Sequence, residues 1–282
     1  MGGSLFVVAT PIGNMDDITV RALNVLAKVD LIAAEDTRHT GKFLARHGIK
    51  RPLVSYHEHN EKERARELTK RLHNGDNIAL VTDAGTPSIS DPGYRLVRRA
   101  TAENIQVSPL PGPSAAMAAL SVSGLSTSAF IFIGFPDRKK GRRHRMLRHL
   151  ATEPRTLIFY ESPKRILHLL GEIKDAMGDR YAVLARELTK LHETIYRGKL
   201  SELIGQMEQK TTLKGECTLV VQGAGDPEPL SGEALREEIK KRLGIPGLTP
   251  SGITRQIVSR FGVSRNRVYK EVLKMKKTDT GE

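Results

Sequence analysis

Leu80-Val81-Thr82-Asp83-Ala84-Gly85-Thr86-Pro87-Ser88-Ile89-Ser90-Asp91-Pro92-Gly93 decides how this chain folds. An apolar run ends in a loop that holds two glycines, two prolines, two aspartates and several hydroxyls. Such a loop gives up backbone entropy to hold a special shape, and it sets polar groups at a strand end. Two similar loops flank it in sequence. Thr10-Pro11-Ile12-Gly13-Asn14 comes after the first apolar run, and Pro109-Leu110-Pro111-Gly112-Pro113-Ser114-Ala115-Ala116 after a later one. Three polar loops, each after a strand, are what an open α/β sheet presents to a small ligand along one edge.

Outward from that loop the pattern alternates. Apolar runs at residues 5–9, 31–34, 53–56, 78–82 and 105–110 predict strands. Helical spacing or small-residue runs at 16–29, 37–47, 60–73, 93–101 and 114–121 predict the helices between them. Strict alternation implies a mainly parallel sheet with helices on its faces. The Ser/Thr-rich stretch 121–128 marks a junction. Beyond it, strands at 129–133, 157–160, 181–185, 194–196 and 218–221, with helices at 142–150, 166–177 and 200–207, predict a second α/β half with a mixed sheet. Residues 223–231 have linker composition, and the remainder of the chain is helical and basic. The expected domains are 1–123, 124–225 and 226–282.

A chain of 282 residues suffices for two ordinary domains and a small third. Hydrophobic residues make up 39% but aromatics only 5%, with no Trp, so the cores are aliphatic. Lys and Arg total 45 against 32 Asp and Glu, a net charge of +13, which points to a polyanionic partner. Cys217 is the one cysteine, so an intrachain disulfide is excluded, and its place in an apolar run predicts a buried, inert thiol. Neither a leader-like segment nor a run of membrane-spanning length occurs, so no membrane partner is expected and the cytoplasm is.

The basic charge is clustered. Arg138, Lys139, Lys140, Arg142, Arg143 and Arg145 lie in one short run that itself holds no acidic residue, a phosphate-contacting pattern. Residues 253–272 fit a helix-turn-helix. One helix ends at Gly262, Ser264 caps the next, and Val268 and Val272 face inward. Arg265, Asn266, Arg267 and Lys270 decorate the presented helix. His57 and His59 could share a ligand, but no third ligand is evident and no metal is expected. Asp36, between a strand and a helix, is either an N-cap or a site contact. Gly-x-Gly-x-x-Gly after a strand, the Walker A motif and the Gly-x-Ser-x-Gly elbow are all missing, which disfavours dinucleotide, nucleoside-triphosphate and serine-hydrolase chemistry.

Taken in order, these segments resemble the tetrapyrrole-methylase-like superfamily of S-adenosylmethionine-dependent methyltransferases, and most closely its branch that acts on small-subunit ribosomal RNA. The resemblance spans roughly residues 5–223 and is carried by the three loops with Ala34-Glu35-Asp36-Thr37-Arg38, Ser55-Tyr56-His57-Glu58-His59-Asn60, Phe159-Tyr160-Glu161-Ser162-Pro163-Lys164-Arg165, Arg186-Glu187-Leu188-Thr189-Lys190 and Lys214-Gly215-Glu216. It implies two α/β domains with the cofactor cleft between them and a homodimer. It also implies 2′-O-methylation of a cytidine ribose in 16S rRNA near the decoding centre. Pro11, Asp83, Ala84, Gly85, Thr86, Ile89, Ser114, Ala115, Tyr160, Leu188 and Gly215 are the implied S-adenosylmethionine contacts. Tetrapyrrole-modifying members carry Gly-Gly-Gly-Asp-Pro where this chain has Asp83-Ala84-Gly85-Thr86-Pro87, and that departure favours the rRNA branch.

A ribose hydroxyl needs a base or a cation beside it to react. The expected candidates are Glu58 or Asp36 for the proton, with Arg38 and Lys190 positioning rRNA. Two rival readings are a methyltransferase for a small tetrapyrrole-like metabolite and a non-enzymatic helix-turn-helix regulator. The basic surfaces speak against the first, and the three ligand loops against the second.

Overall fold

The computed structural model describes residues 2–210, 214–225, 232–245, 248–261 and 263–279. The chain opens with β1 (Ser4–Val8), α1 (Val20–Leu26), β2 (Leu31–Ala34), α2 (Thr37–Arg46), β3 (Leu53–Ser55), α3 (Glu61–His73), β4 (Ile78–Val81), α4 (Tyr94–Ala102), β5 (Gln106–Leu110) and α5 (Ala115–Ser121). Next come β6 (Phe130–Gly134), α6 (Lys140–His149), β7 (Thr156–Glu161), α7 (Pro163–Met177), β8 (Tyr181–Arg186), β9 (Thr194–Lys199), α8 (Leu200–Glu208) and β10 (Cys217–Val221). The last elements are α9 (Gly232–Leu243), α10 (Pro250–Phe261) and α11 (Arg265–Asp279).

The first five strands make one all-parallel sheet in the order β3-β2-β4-β1-β5. Every residue of β2 and β4 is buried, which is why their sequences are unbroken apolar runs: both sheet faces are covered. Val8, Ile32 and Val81 pack under α1 and α2 through Leu26, Phe43 and Leu44. Leu5, Ala33 and Leu80 point the other way and meet Leu68, Leu72 and Leu96 of α3 and α4. The alternation of strand side chains thus builds two core layers.

The spacing over residues 16–29 predicts one helix, but the chain forms a 3-10 turn at Met15–Asp17 and then α1. The Asn14 side chain accepts the Asp16 N–H, and the Thr19 side chain accepts the Ala22 N–H. Two caps this close start two short elements in place of a long one.

The second sheet runs β6-β7-β10-β8-β9. Only β6 and β7 pair in parallel; the other neighbours are antiparallel, so the sheet is mixed as expected. Against it lies α5, which comes after the first sheet in sequence. Its small side chains, Ala116 and Ala119, pack with Leu120 on Ile158, Val183 and Val220. Both sheets belong to one compact unit, Met1–Leu150 with Arg155–Gln222.

A second compact unit joins Ala151–Pro154 to Gly223–Glu282. Its core is Leu235, Ile239, Ile253, Ile257, Val263, Val268 and Val272, so the two valines spaced one helical turn apart on α11 face inward. Gly262, the expected end of the preceding helix, and linker residues 226–231 lie outside the described residues. Among the described residues no helix is long and apolar enough to cross a membrane.

Candidate active site

The loops at the carboxyl ends of the parallel strands are tied to one another. Thr10 and Gly85 exchange backbone hydrogen bonds of 2.9 and 3.0 Å, and the Thr10 hydroxyl donates to the Thr82 carbonyl at 3.0 Å. The Thr86 hydroxyl donates to the Pro113 carbonyl at 3.4 Å. Asp83 accepts the Asp36 N–H at 3.2 Å, while the Asp83 N–H donates to Glu35 at 3.3 Å. Loops after β1, β2, β4 and β5 therefore form one rim. Ser88 and Ser90 hold left-handed backbone, with φ of 72° and 63°, a strained state that survives only where neighbours impose it.

Beside that rim opens a cleft with about 950 Å3 of empty space. Its first wall is Ile12, Ala84, Gly85, Thr86, Ile89, Ser114 and Ala115. Gly85 sits at φ +80°, and a Cβ there would touch nothing nearer than Ile12 at 3.6 Å, so its backbone is left bare. Phe135, Tyr160 and residues 215–218 of the second half form the opposing wall. The Tyr160 hydroxyl accepts the Ala116 N–H at 3.0 Å and so joins the second sheet to the start of α5. Burial raises its pKa. Phe135 is 55% exposed and meets the Tyr160 ring edge-on at 5.6 Å between centroids. Cys217 lies at the cleft on a buried strand, and burial pushes its thiol up to about 11, so it stays a protonated, inert thiol.

One end of the second wall is held by a charge knot. Lys190 Nζ lies 2.9 Å from Glu187 Oε1 and 3.0 Å from Glu216 Oε2. Burial works against the Lys190 charge, but the Glu187 and Glu216 carboxylates outweigh it and hold its pKa above the ordinary value. The hydrogen bond from Lys190 chiefly lowers Glu187. Thr189 at φ +65° accepts the Asn14 N–H at 2.9 Å, which links this loop to the β1 loop. Gly215, at φ +94°, lies so close that a Cβ would overlap the Glu187 carboxylate. Gly215→Ala is therefore expected to break the knot and destabilise the fold by about 1–3 kcal/mol, read from urea or thermal unfolding.

Of the expected ligand contacts, Ala84, Gly85, Thr86, Ile89, Ser114, Ala115, Tyr160 and Gly215 line this cleft. Pro11 and Asp83 line a smaller hollow of about 330 Å3 with His39, Thr40 and Phe43. Leu188 is packed on the second-half core beside Phe132 and Tyr160, and does not line the cleft. Asp36 is the N-cap of α2: its Oδ1 accepts the Arg38 N–H at 2.8 Å and the His39 N–H at 3.3 Å, bonds that hold its carboxyl below the ordinary range. Arg38 is exposed. Glu58 lies in a neighbouring hollow with His57 and His59, whose rings stand 6.0 Å apart. Among the described residues no group of three His, Cys, Asp or Glu side chains could hold a metal ion.

Comparison with known proteins decides what this architecture is. The model of the tetrapyrrole (corrin/porphyrin) methylases matches residues 4–204, well over half of the chain. The chain belongs to the tetrapyrrole methylase family. Solved methyltransferases share its fold: CobJ superposes with a TM-score of 0.59 at 21% identity, over 79% of this chain and 95% of that one. The uroporphyrin-III C-methyltransferase of Thermus thermophilus, complexed with S-adenyl homocysteine, gives a TM-score of 0.57 at 18% identity, over 78% and 97%. Much nearer in sequence is the ribosomal RNA small subunit methyltransferase I of Escherichia coli O157:H7, 48% identical over 96% of this chain and 95% of its own length. The protein of that name from Thermotoga maritima is 50% identical over 78% of this chain and 99% of its own length.

The cleft also holds residues that sequence reasoning did not single out as contacts. They are Ile12, Ser90, Asp91, Phe135, Ser162, Pro163, Glu216 and Thr218; Glu161, a candidate from sequence, lines the cleft with them. Asp91 matters most, because it also lines the hollow that holds Glu58. Burial, then the Glu35, Asp83 and Glu216 carboxylates, raise its pKa to about 7. Glu161, by contrast, is buried against Arg165 at 2.5 Å and accepts the Ser162 N–H at 2.7 Å.

The basic run of the family member needs one correction. Arg138, Lys139, Lys140, Arg142 and Arg145 lie at the surface. Arg143 points inward and binds the buried Glu172 at 2.5 and 2.8 Å, so its guanidinium is not available to phosphate. Arg265, Arg267 and Lys270 are exposed on α11.

Proposed function

We propose that the chain transfers a methyl group from S-adenosylmethionine to the ribose 2′-hydroxyl of a cytidine in 16S rRNA, near the decoding centre of the small ribosomal subunit. The observation that carries this is the 48% identity, over 96% of the chain, to a protein named for methylating small-subunit rRNA.

The cleft suits the cofactor. Bare backbone at Gly85 and small side chains at Ser114 and Ala115 give room for close approach, and Ile12, Ile89 and Phe135 offer apolar surface. Asp91 and Glu216 put negative charge beside a ligand that carries a sulfonium cation. S-adenosylmethionine supplies an activated methyl on a good leaving group, so the protein's work is mainly alignment and removal of the hydroxyl proton. Asp36 is occupied as a cap. Asp91, at the meeting of the two hollows and poised near neutral pH, takes the proton in its place. Glu58 and Arg38 border the substrate side, and Lys190 holds Glu216 at the cleft. Asp83 ties the strand-end loops together and Pro11 belongs to the β1 loop; Leu188 packs behind Tyr160 and supports the wall from the core.

Arg138, Lys139, Lys140, Arg142 and Arg145 on one unit, with Arg265, Arg267 and Lys270 on the other, contact rRNA phosphates. The enzyme works in the cytoplasm as a homodimer, and its three parts are 1–123, 124–225 and 226–282. Replacing Arg265 and Lys270 together by Ala is expected to weaken rRNA binding several-fold and reduce the slope of log affinity against log salt by about 2, with cofactor affinity unchanged. Filter binding across a salt series measures both. The function itself is tested by incubating the protein with labelled S-adenosylmethionine and unmodified small subunits, then mapping the label. Label on a cytidine 2′-oxygen is expected, and label on a base or on protein refutes the reading.

A further inference from the structure

The hollow that shares Ser90 and Asp91 with the cleft has about 980 Å3 of empty space. Its walls come from separate strand ends: Glu35 after β2, His57 and Glu58 after β3, and Tyr94 at the start of α4. Tyr94 is 63% exposed, yet its backbone is fixed from below. Glu61 Oε1 accepts the Gly93 N–H at 3.0 Å and the Arg95 N–H at 3.3 Å. The fully buried Tyr56 donates its hydroxyl proton to Glu61 at 3.1 Å and accepts the Leu96 N–H at 3.2 Å. An aromatic ring is thus held out on a rigid base. His57 also lines the hollow, and its Nδ1 is buried without a hydrogen-bond partner. Native structures rarely leave such an atom unmatched unless something else completes it.

We infer that this hollow receives the base of the target nucleotide, turned out of its stack, and that it selects a pyrimidine bearing an exocyclic amine. The inference rests on the rRNA reading above. An unstacked base lies on the Tyr94 ring, as single-stranded bases do on exposed aromatics. Its amine donates to the Glu35 or Glu58 carboxylate; the keto oxygen of uracil in the same place meets those carboxylates oxygen to oxygen. With the base so held, the ribose reaches Ser90 and Asp91, the boundary shared with the cleft. An extruded nucleotide gives access to an atom that a stacked one hides. Glu61 and Tyr94, which line the hollow, begin α3 and α4, and the same two helices carry exposed Lys62 and Arg98.

The test uses the full chain, cofactor and small-subunit rRNA carrying C or U at the mapped position. Single-turnover methylation and cofactor affinity are measured for the wild type, Tyr94→Phe, Tyr94→Ala and Glu35→Gln. Tyr94→Phe keeps the rate within about twofold, and Tyr94→Ala lowers it at least about tenfold at limiting rRNA. Glu35→Gln narrows the preference for C over U by about tenfold. All three retain wild-type cofactor affinity, which also reports an intact fold. If Tyr94→Ala and Glu35→Gln keep the wild-type rate and preference while the wild type methylates rRNA, the inference is overturned and the proposed function stands. If the wild type methylates no rRNA, both fall.

Discussion

Asp91→Asn is expected to lower the single-turnover methylation rate by about 100-fold or more and, at neutral pH, to make the protein more stable. The two effects have one origin. Burial and the Glu35, Asp83 and Glu216 carboxylates raise Asp91 from its ordinary 3.8 to about 7. Between those two values the folded state holds a proton that the unfolded chain releases, so stability contributed at low pH is lost as pH rises through about 7. At pH 8 the charged carboxylate costs the fold about 1–2 kcal/mol once solvent reaching the cleft is allowed for, and Asn removes that cost. The rate runs the other way, because only the carboxylate accepts a proton. Wild-type methylation should therefore climb as pH rises through about 7, while the residual rate of Asp91→Asn stays flat. Cofactor affinity and melting temperature complete the measurement. A variant as fast as the wild type would assign the proton to another group.

The position of Asp91 shows where sequence reading stops. It lies in the same stretch, residues 80–93, from which the parallel sheet is legible. β2 and β4 are plain in sequence because both faces are covered and every side chain is apolar. The pKa of Asp91 depends on burial first and then on Glu35, Asp83 and Glu216, which come from three separate loops, and no local pattern shows that convergence. Asp36 leaves cap and site contact equally open in sequence, and only the two N–H groups it accepts decide for the cap. Small side chains over residues 114–121 announce close packing, but not that α5 packs on the second sheet. Arg143 was legible in principle. It stands four residues before Leu147, the buried residue of α6, and so shares its inward face.

Replacing Glu172 by Ala is expected to destabilise the fold by about 3–5 kcal/mol. Its carboxylate, 6% exposed, accepts two bonds from Arg143, of 2.5 and 2.8 Å, and lies 2.9 Å from His144 Nε2 and 3.0 Å from His168 Nε2. The Arg143 hydrogen bond is the chief reason its pKa falls to about 2. Removing Glu172 leaves a guanidinium only 11% exposed with no carboxylate to meet it. The loss then comes from a stranded charge, and a well-packed apolar pair should recover much of it. Arg143→Met with Glu172→Leu is accordingly expected to unfold later than Glu172→Ala. The pH dependence is opposite in sign to that of Asp91. A carboxyl lowered from 4.5 to about 2 stabilises fully above 4.5, and that contribution is lost as pH falls toward 2. Glu172→Ala should lack this acid-side loss. Arg143 also donates to the Asp137 and Arg138 carbonyls at 2.9 and 3.1 Å, so the same ion pair fixes the turn into α6. Lys139, Lys140, Arg142 and Arg145 are presented from that turn and helix. Weaker rRNA binding at temperatures where Glu172→Ala is still folded, with cofactor affinity retained, would separate presentation of the basic face from stability of the sheet.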